Sequence, residues 1–320
     1  MLTLFRKQNG QISSSGAAQT FDKALDDWLE YTSGRVKRST LSTYRAVAER
    51  YIRPGLGALY TGALTGETAA KFLENASADY APATVRIICH VLRSAVAHAQ
   101  ESGRCPAAEA RIAPPRSERR EARVLSAEEQ LRLVSWLSGC DGPAEFGILL
   151  CMATGIRLGE ACGLRWGDIP AGRYIIYIRR TLQRLPSREG GARTALVFDT
   201  PKSASSARTV PVPASLRSRL DELRCGDDCY ILTGSESPME PRRFQSRFKA
   251  ALRAAGVQDI NFHALRHTFA TNCVSLGCDA ATLARILGHS DVAITLNTYV
   301  HPSFEAMRDI VDKNSARFPS

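Results

Sequence analysis

His263-Ala264-Leu265-Arg266-His267 is the stretch on which the reading of this chain turns, with Leu287-Gly288-His289-Ser290 and then Tyr299 following it. His263 and His267 stand four residues apart, so they share one face of a helix that opens after Asn261, an acceptable N-cap. That spacing invites a zinc site. A zincin, however, needs Glu directly after the first His and a third ligand, and here Ala264 follows. The stretch instead gathers a guanidinium and imidazoles in the part of the chain that leads to a tyrosine.

Moving upstream, Met152 to Trp166 reads MATGIRLGEACGLRW, a helix end, a Gly turn with Gly155 as C′ residue, and a second short helix. Arg157 follows the turn. Further on, Thr200-Pro201-Lys202-Ser203-Ala204-Ser205-Ser206-Ala207-Arg208-Thr209-Val210-Pro211-Val212 has small turn residues between two strand-like runs, the grammar of a hairpin with Lys202 on its tip. Singly, each residue has an ordinary reading. An arginine after a turn is usually solvated or paired with an acid, and a tip lysine is solvated. His289 after Gly is a helix cap, and Tyr299 is a common amphipathic tyrosine. As a set they suit phosphoryl transfer, which needs a nucleophile, donors for charge growing on non-bridging oxygens, and an acid for the leaving oxygen. Guanidinium fits the second task, because it stays charged and meets phosphate oxygens as a fork.

The ordered set resembles the tyrosine recombinases, also called the phage integrases. The segment ATG-x-R-xxE-xxxLRW is similar to that family's first arginine box, the Lys202 segment to its T-K-(T/S)-xxSxRxVP pattern, and His263 to His267 to its H-xx-R-H box. The resemblance implies that Arg157 and Arg266 clamp the phosphate and that Glu160 holds Arg157 in place. It makes Lys202 the acid for the 5′ leaving oxygen, His263 a proton-transfer or phosphate-contacting residue, and His289 a further donor. His267 becomes a buried helix-packing residue and Tyr299 the nucleophile. Attack by Tyr299 would give a 3′-phosphotyrosyl link, store the bond energy, and need no ATP, cofactor or metal. The implied function is site-specific recombination through a Holliday junction, for integration and excision of a mobile element. Alternatives are an Xer-type dimer resolvase, a catalytically silent DNA-binding protein on the same scaffold, and a relaxing topoisomerase. The implied partners are double-stranded DNA with paired sites, further copies of the chain in a homo-tetramer when synapsed (a monomer or weak oligomer when free), and an accessory DNA-bending protein.

Composition sets the outer bounds. The 320 residues suffice for two domains, and the formal net charge of +10 suits a polyanion, though equally a membrane surface. No run reaches the length of a transmembrane helix, and Met1 to Gly10 is too short and polar for a signal peptide, so a bacterial cytoplasmic or nucleoid location is expected. The nine cysteines include Cys225 and Cys229 spaced x3 and Cys273 and Cys278 spaced x4. Neither pair makes a zinc knuckle, and the thiols read as reduced core fillers, with a regulatory thiol left open.

The expected fold is mainly α with a small antiparallel β-sheet. Residues 1–19 read as a loose N-terminus. Residues 20–110 carry four helical patterns, FDKALDDWLEY, STLSTYRAVAERYI, TGETAAKFLENA and APATVRIICHVLRSAVAHAQ, with Ser39 or Thr40, Thr65 and Ala81-Pro82 as starts. By resemblance this is a helical, SAM-like core-binding domain. Lys37, Arg38, Arg45, Arg86 and Arg93 would reach phosphates from it. A linker at 111–123 has paired prolines and clustered charges. The catalytic domain, 124–302, is expected to be α+β and to open with a capping box, Ser126 and Glu129. Strand signals lie at Tyr174 to Thr181, near Val197, and at Thr209 to Val212. Basic residues concentrate at Arg179 and Arg180 and on a helix with Arg242, Arg243 and Arg247, where Phe244, Phe248 and Leu252 face the core. The arginines would lie on DNA. A tail, 303–320, would dock on a neighbouring protomer by the same resemblance. Only about twenty residues precede Phe21, where larger integrases carry an arm-site domain; this points to compact integrases of conjugative elements or Xer-type recombinases.

Overall fold

The computed structural model describes residues 19–105, 123–187, 194–199, 207–289, 291–293, 295 and 308. Two compact units divide the chain, Met1–Arg120 and Glu121–Ser320. The 111–122 part of the linker expected from the sequence, residues 1–18 of the N-terminus, and all of the 303–320 tail but Arg308 lie outside the described residues.

The first unit is helical: α1 (Phe21–Ser33), α2 (Arg38–Val47), α3 (Gly66–Asp79) and α4 (Pro82–Glu101). Phe21, Leu25, Trp28 and Leu29 recur at helical spacing and are buried in α1, as are Val85, Ile88, Leu92, Ala95 and Val96 in α4, so each helix buries one apolar stripe. Thr65 caps α3, its hydroxyl accepting the Thr68 N–H at 3.2 Å, and Pro82 opens α4, where a missing N–H leaves no helical bond unmade. The start of α2 departs from the expected Ser39 or Thr40. The N-cap is Lys37, in extended conformation and without a side-chain cap. Past Val47 the chain continues as a wide π-type coil, Ala48–Gly57, that runs through Pro54. Proline has no N–H for an α-type bond, and the looser coil accommodates it while still burying Ile52 and Leu56.

The second unit opens with α5 (Ala127–Ser138), whose capping box has both halves: Ser126 Oγ accepts the Glu129 N–H at 3.2 Å and Glu129 accepts the Ser126 N–H at 3.0 Å. Next come α6 (Pro143–Thr154), α7 (Leu158–Gly163), β1 (Ile175–Ile178), β2 (Thr181–Pro186), β3 (Thr194–Asp199), β4 (Arg208–Pro211), α8 (Ala214–Glu222), α9 (Pro241–Ala254), α10 (His263–Ser275) and α11 (Ala280–Leu287). Helix α6 is buried on nearly every side and packs against α5, α9 and α10. Phe244 and Phe248 of α9 both meet Phe262, with ring centroids 5.1 Å apart in each pair.

Two sequence expectations about strands are corrected. The run from Tyr174 to Thr181 is not one strand, because it breaks at Arg179-Arg180, where both guanidiniums turn to buried Asp168. The strands flanking the Lys202 segment do not pair with each other: β3 pairs antiparallel with β2, Thr181 opposite Asp199, and β4 with β1, Ile176 opposite Val210. The second register puts Ile176 and Val210 into the core, a demand that the turn residues around Lys202 do not reveal.

Candidate active site

The site is assembled from the ends of helices. Helix α6 stops at Gly155, whose φ of +65° is left-handed and whose added Cβ would stand 2.6 Å from the Phe269 ring, so only glycine fits there without strain. The chain turns at once into Arg157, the N-cap residue of α7. The Arg157 backbone N–H donates to Glu160 Oε2 at 2.8 Å, and its guanidinium donates to Glu160 Oε1 at 2.8 Å and to the Gly288 carbonyl at 3.1 Å. Arg208, first residue of β4, approaches the same carboxylate from the other side, donating to Oε1 at 3.0 Å and Oε2 at 2.9 Å. Its Nε reaches the Ile286 carbonyl at 2.5 Å. One glutamate thus fixes two arginines.

Arg266, in the first turn of α10, is 2% exposed. It donates to the Gly155 carbonyl at 2.9 Å and the Leu287 carbonyl at 2.7 Å. These are the carboxyl ends of α6 and α11, where unsatisfied carbonyls and the helix dipole favour a cation. Gly288 closes α11 with φ +67°, and a Cβ there would stand 2.9 Å from Arg208 Cδ. The next residue is His289, whose Nδ1 lies 2.8 Å from the hydroxyl of fully buried Thr295. If the hydroxyl donates, Nε2 carries the proton and is a donor. His263 and His267 meet edge to face on α10 with centroids 4.7 Å apart. His267 is half-buried rather than buried.

Electrostatics follow from this arrangement. Burial alone would raise the Glu160 carboxyl, but the hydrogen bonds and charge of Arg208, with the Arg157 N–H and guanidinium, hold it below its ordinary value. His263 has an exposed side chain, and partial desolvation where it meets the cluster, then His267, Arg266 and Arg157, pushes it down to about 4. His289 is pushed to about 4 by burial first and then by Arg266, Arg157 and Arg208. At neutral pH the cluster therefore holds three guanidiniums, one carboxylate and two neutral imidazoles, an excess of positive charge suited to a phosphodiester.

A pH dependence is expected from those values. A histidine whose folded value lies below its ordinary 6.5 binds protons more readily unfolded. Its stabilising effect is therefore whole above about 6.5 and is lost as pH falls through about 4. Glu160, held low, adds a loss in the same direction at still lower pH. Melting temperature should fall between pH 6.5 and pH 4, and His289→Asn should flatten that fall. An equally steep fall in His289→Asn would remove His289 as a cause.

Two residues of the site, Arg208 and Thr295, were not singled out by the motifs. Arg208 was visible in the quoted T-K-(T/S)-xxSxRxVP pattern, but only as a neighbour of Lys202. No local signal marks Thr295. Lys202 and Tyr299 themselves lie outside the described residues. Of the basic candidates, Arg38 and Arg45 on α2 and Arg86 and Arg93 on α4 are all exposed, each pair two turns apart on one helix face. Lys37 is half-buried. Arg242, Arg243 and Arg247 are all exposed on α9, and Arg247 also pairs with Glu145 at 3.2 Å. Arg180 is held by Asp168 at 2.8 Å, and Arg179 stays mostly in solvent 3.8 Å from the same carboxylate. Among the described residues, no three His, Cys, Asp or Glu side chains group as a metal site, and no helix is long and apolar enough to cross a membrane.

Comparison with known proteins places this geometry. Residues 124–306 match the phage integrase family. A relative described as tyrosine recombinase XerC-like, from Caldanaerobacter subterraneus subsp. tengcongensis, is 31% identical over 200 residues, covering 57% of this chain and 51% of that protein. The chain thus spans about half of that relative. The Tn1549 transposon integrase, solved in complex with a circular intermediate DNA, superposes with a TM-score of 0.76 at 19% identity, over 93% of this chain and 100% of that one. A lambda integrase tetramer bound to a Holliday junction superposes at 0.66 and 20% identity, over 95% of this chain and 86% of that one. At such identities these structures show the fold.

Proposed function

Because the chain belongs to the phage integrase family, we propose that it is a tyrosine site-specific recombinase that cuts and rejoins DNA through a 3′-phosphotyrosyl intermediate and a Holliday junction. One observation carries the reading: Arg157, Arg266, His263 and His289, far apart in sequence, converge on the carboxyl ends of α6 and α11 with a surplus of positive charge. In this reading Arg157 and Arg266 hold the scissile phosphate and neutral His289, oriented by Thr295, donates to a non-bridging oxygen. His263 contacts the phosphate or moves a proton, Lys202 protonates the 5′ leaving oxygen, and Tyr299 attacks phosphorus. The P–O5′ bond breaks as the O–P bond to Tyr299 forms, and a second 5′ hydroxyl reverses the exchange.

Residues 20–110 would serve as the core-binding domain, 124–302 as the catalytic domain and 303–320 as a tail on a neighbouring protomer. The Tn1549 integrase complex with a circular intermediate DNA and the lambda integrase tetramer on a Holliday junction support DNA as partner and a tetramer on the junction. In the same reading the protein acts in moving a mobile element and sits on the nucleoid when DNA-bound. The test uses a nicked suicide duplex taken from the flanks of the encoding gene, with chelator present. A protease-sensitive adduct whose DNA-linked peptide contains Tyr299 is the expected result. Tight binding without any adduct would instead make this a silent DNA-binding protein.

Arg243 and Arg247 separate on the same logic. Arg243→Ala should weaken DNA binding uniformly across sequences and lower the salt slope by about 1. Arg247→Ala should do less, since Glu145 already offsets its charge. Equal effects, read by anisotropy over a salt series, would contradict this.

A further inference from the structure

Charge is divided unevenly within the first unit. Helices α1 and α3 carry four and three acids, whereas α2 has none and α4 has none before Glu101 at its last position. The two acid-poor helices pack against each other. Both turn arginines to solvent, Arg38 and Arg45 from α2 and Arg86 and Arg93 from α4. A surface emptied of carboxylates and set with exposed guanidiniums fits a polyanion.

Between these arginines stands a pair of uncharged groups. His90 is exposed on α4, one turn after Arg86 and one turn before Arg93, so the outward stripe of that helix runs Arg86, His90, Arg93. The hydroxyl of Tyr44, on α2, lies 2.9 Å from His90 Nε2. Tyr44 is half-buried, and its ring centroid stands 5.3 Å from that of Trp28. Trp28 thus steadies the phenol, and the phenol holds the imidazole. An exposed side chain oriented in this way before a ligand arrives gives up less freedom on binding.

We propose that His90, oriented by Tyr44, reads a guanine edge in the major groove of the DNA. This rests on the strand-transferase reading above and adds to it a residue that selects sequence. Seven residues of helix separate Arg86 from Arg93, a rise of about 10 Å. The major groove, roughly 12 Å wide, admits a helix. Arginines at that spacing reach phosphates towards the two sides of the groove, while the residue between them faces the bases. With the Tyr44 hydroxyl donating to Nε2, Nδ1 carries the imidazole proton and is a donor. Guanine meets a donor with two acceptors, N7 and O6. Adenine sets an N6 donor beside its N7, thymine sets a methyl group beside O4, and cytosine offers a donor.

The test measures binding of the full-length chain, by fluorescence anisotropy, to a duplex from the flanks of the encoding gene and to duplexes in which each G·C pair is replaced in turn by A·T. One replacement should weaken wild-type binding about 10-fold, a usual cost of one wrong base pair. His90→Ala should bind the original duplex about 10-fold more weakly and no longer distinguish that replacement. Tyr44→Phe keeps the ring beside Trp28 but lacks the hydroxyl, and should lose most of the same discrimination. Both variants are checked for unchanged circular dichroism. Arg93→Ala gives the contrast, a uniform weakening across the series with a smaller salt slope. A His90→Ala protein that keeps the wild-type pattern, or that weakens on every duplex by the same factor, would overturn the proposal. The strand-transferase reading fails separately, through the absence of an adduct on the suicide duplex. A guanine dependence that vanishes in His90→Ala would uphold the proposal even then.

Discussion

Arg266→Gln should lower the single-turnover rate of DNA cleavage by about 10²–10³-fold, the usual cost of removing one preorganised donor from developing charge, while DNA affinity changes little. Arg266 does two things that glutamine cannot. It brings a permanent charge to a position 2% exposed, where a low local dielectric strengthens its pull on a phosphate. It also ties the carboxyl end of α6 to that of α11 through the Gly155 and Leu287 carbonyls. Arg266→Lys separates these contributions. A lysine keeps the charge but offers no planar fork for two diverging carbonyls, so its rate should fall nearly as far. If Arg266→Lys retains the wild-type rate, charge alone matters and the helix-end geometry does not.

How much of this was legible in the sequence depends on how local each determinant is. Periodicity placed Phe244, Phe248 and Leu252 in the core, and the capping box from Ser126 to Glu129 is a four-residue pattern. The motifs named Arg157, His263, Arg266 and His289, which the fold brings to one place. What the sequence hid was long-range pairing. Nothing near Arg208 announces that it shares Glu160 with Arg157, a contact made 48 residues away. Thr295 gains its meaning only once α11 has delivered His289 beside it. The ion pairs of Arg180 and Arg247 were hidden in the same way, because Asp168 and Glu145, the acids they meet, lie on other elements. The split of the Tyr174 to Thr181 run has the same origin, since Asp168 draws both arginines at the break.

Glu160→Gln is expected to reduce unfolding stability by about 3–5 kcal/mol, the cost of breaking a buried ion pair from one side. Glu160 lies between two guanidiniums, and the Arg208 side chain is 4% exposed. With a neutral amide in its place, Arg208 keeps a buried charge whose balance is gone. Arg157, with 35% of its side chain exposed, can recruit water and suffers less. The double variant Glu160→Leu with Arg208→Met decides whether the loss is one of charge or of shape. A buried pair replaced on both sides by apolar groups of similar volume is often neutral or stabilising, so the double variant should recover most of the lost stability in urea unfolding. Cleavage should not recover with it, because Arg157 would still lack the carboxylate that accepts from both its backbone N–H and its guanidinium. A double variant as unstable as Glu160→Gln would show that the pair acts through the carbonyl at Ile286 and the turn at Gly288, not through charge balance.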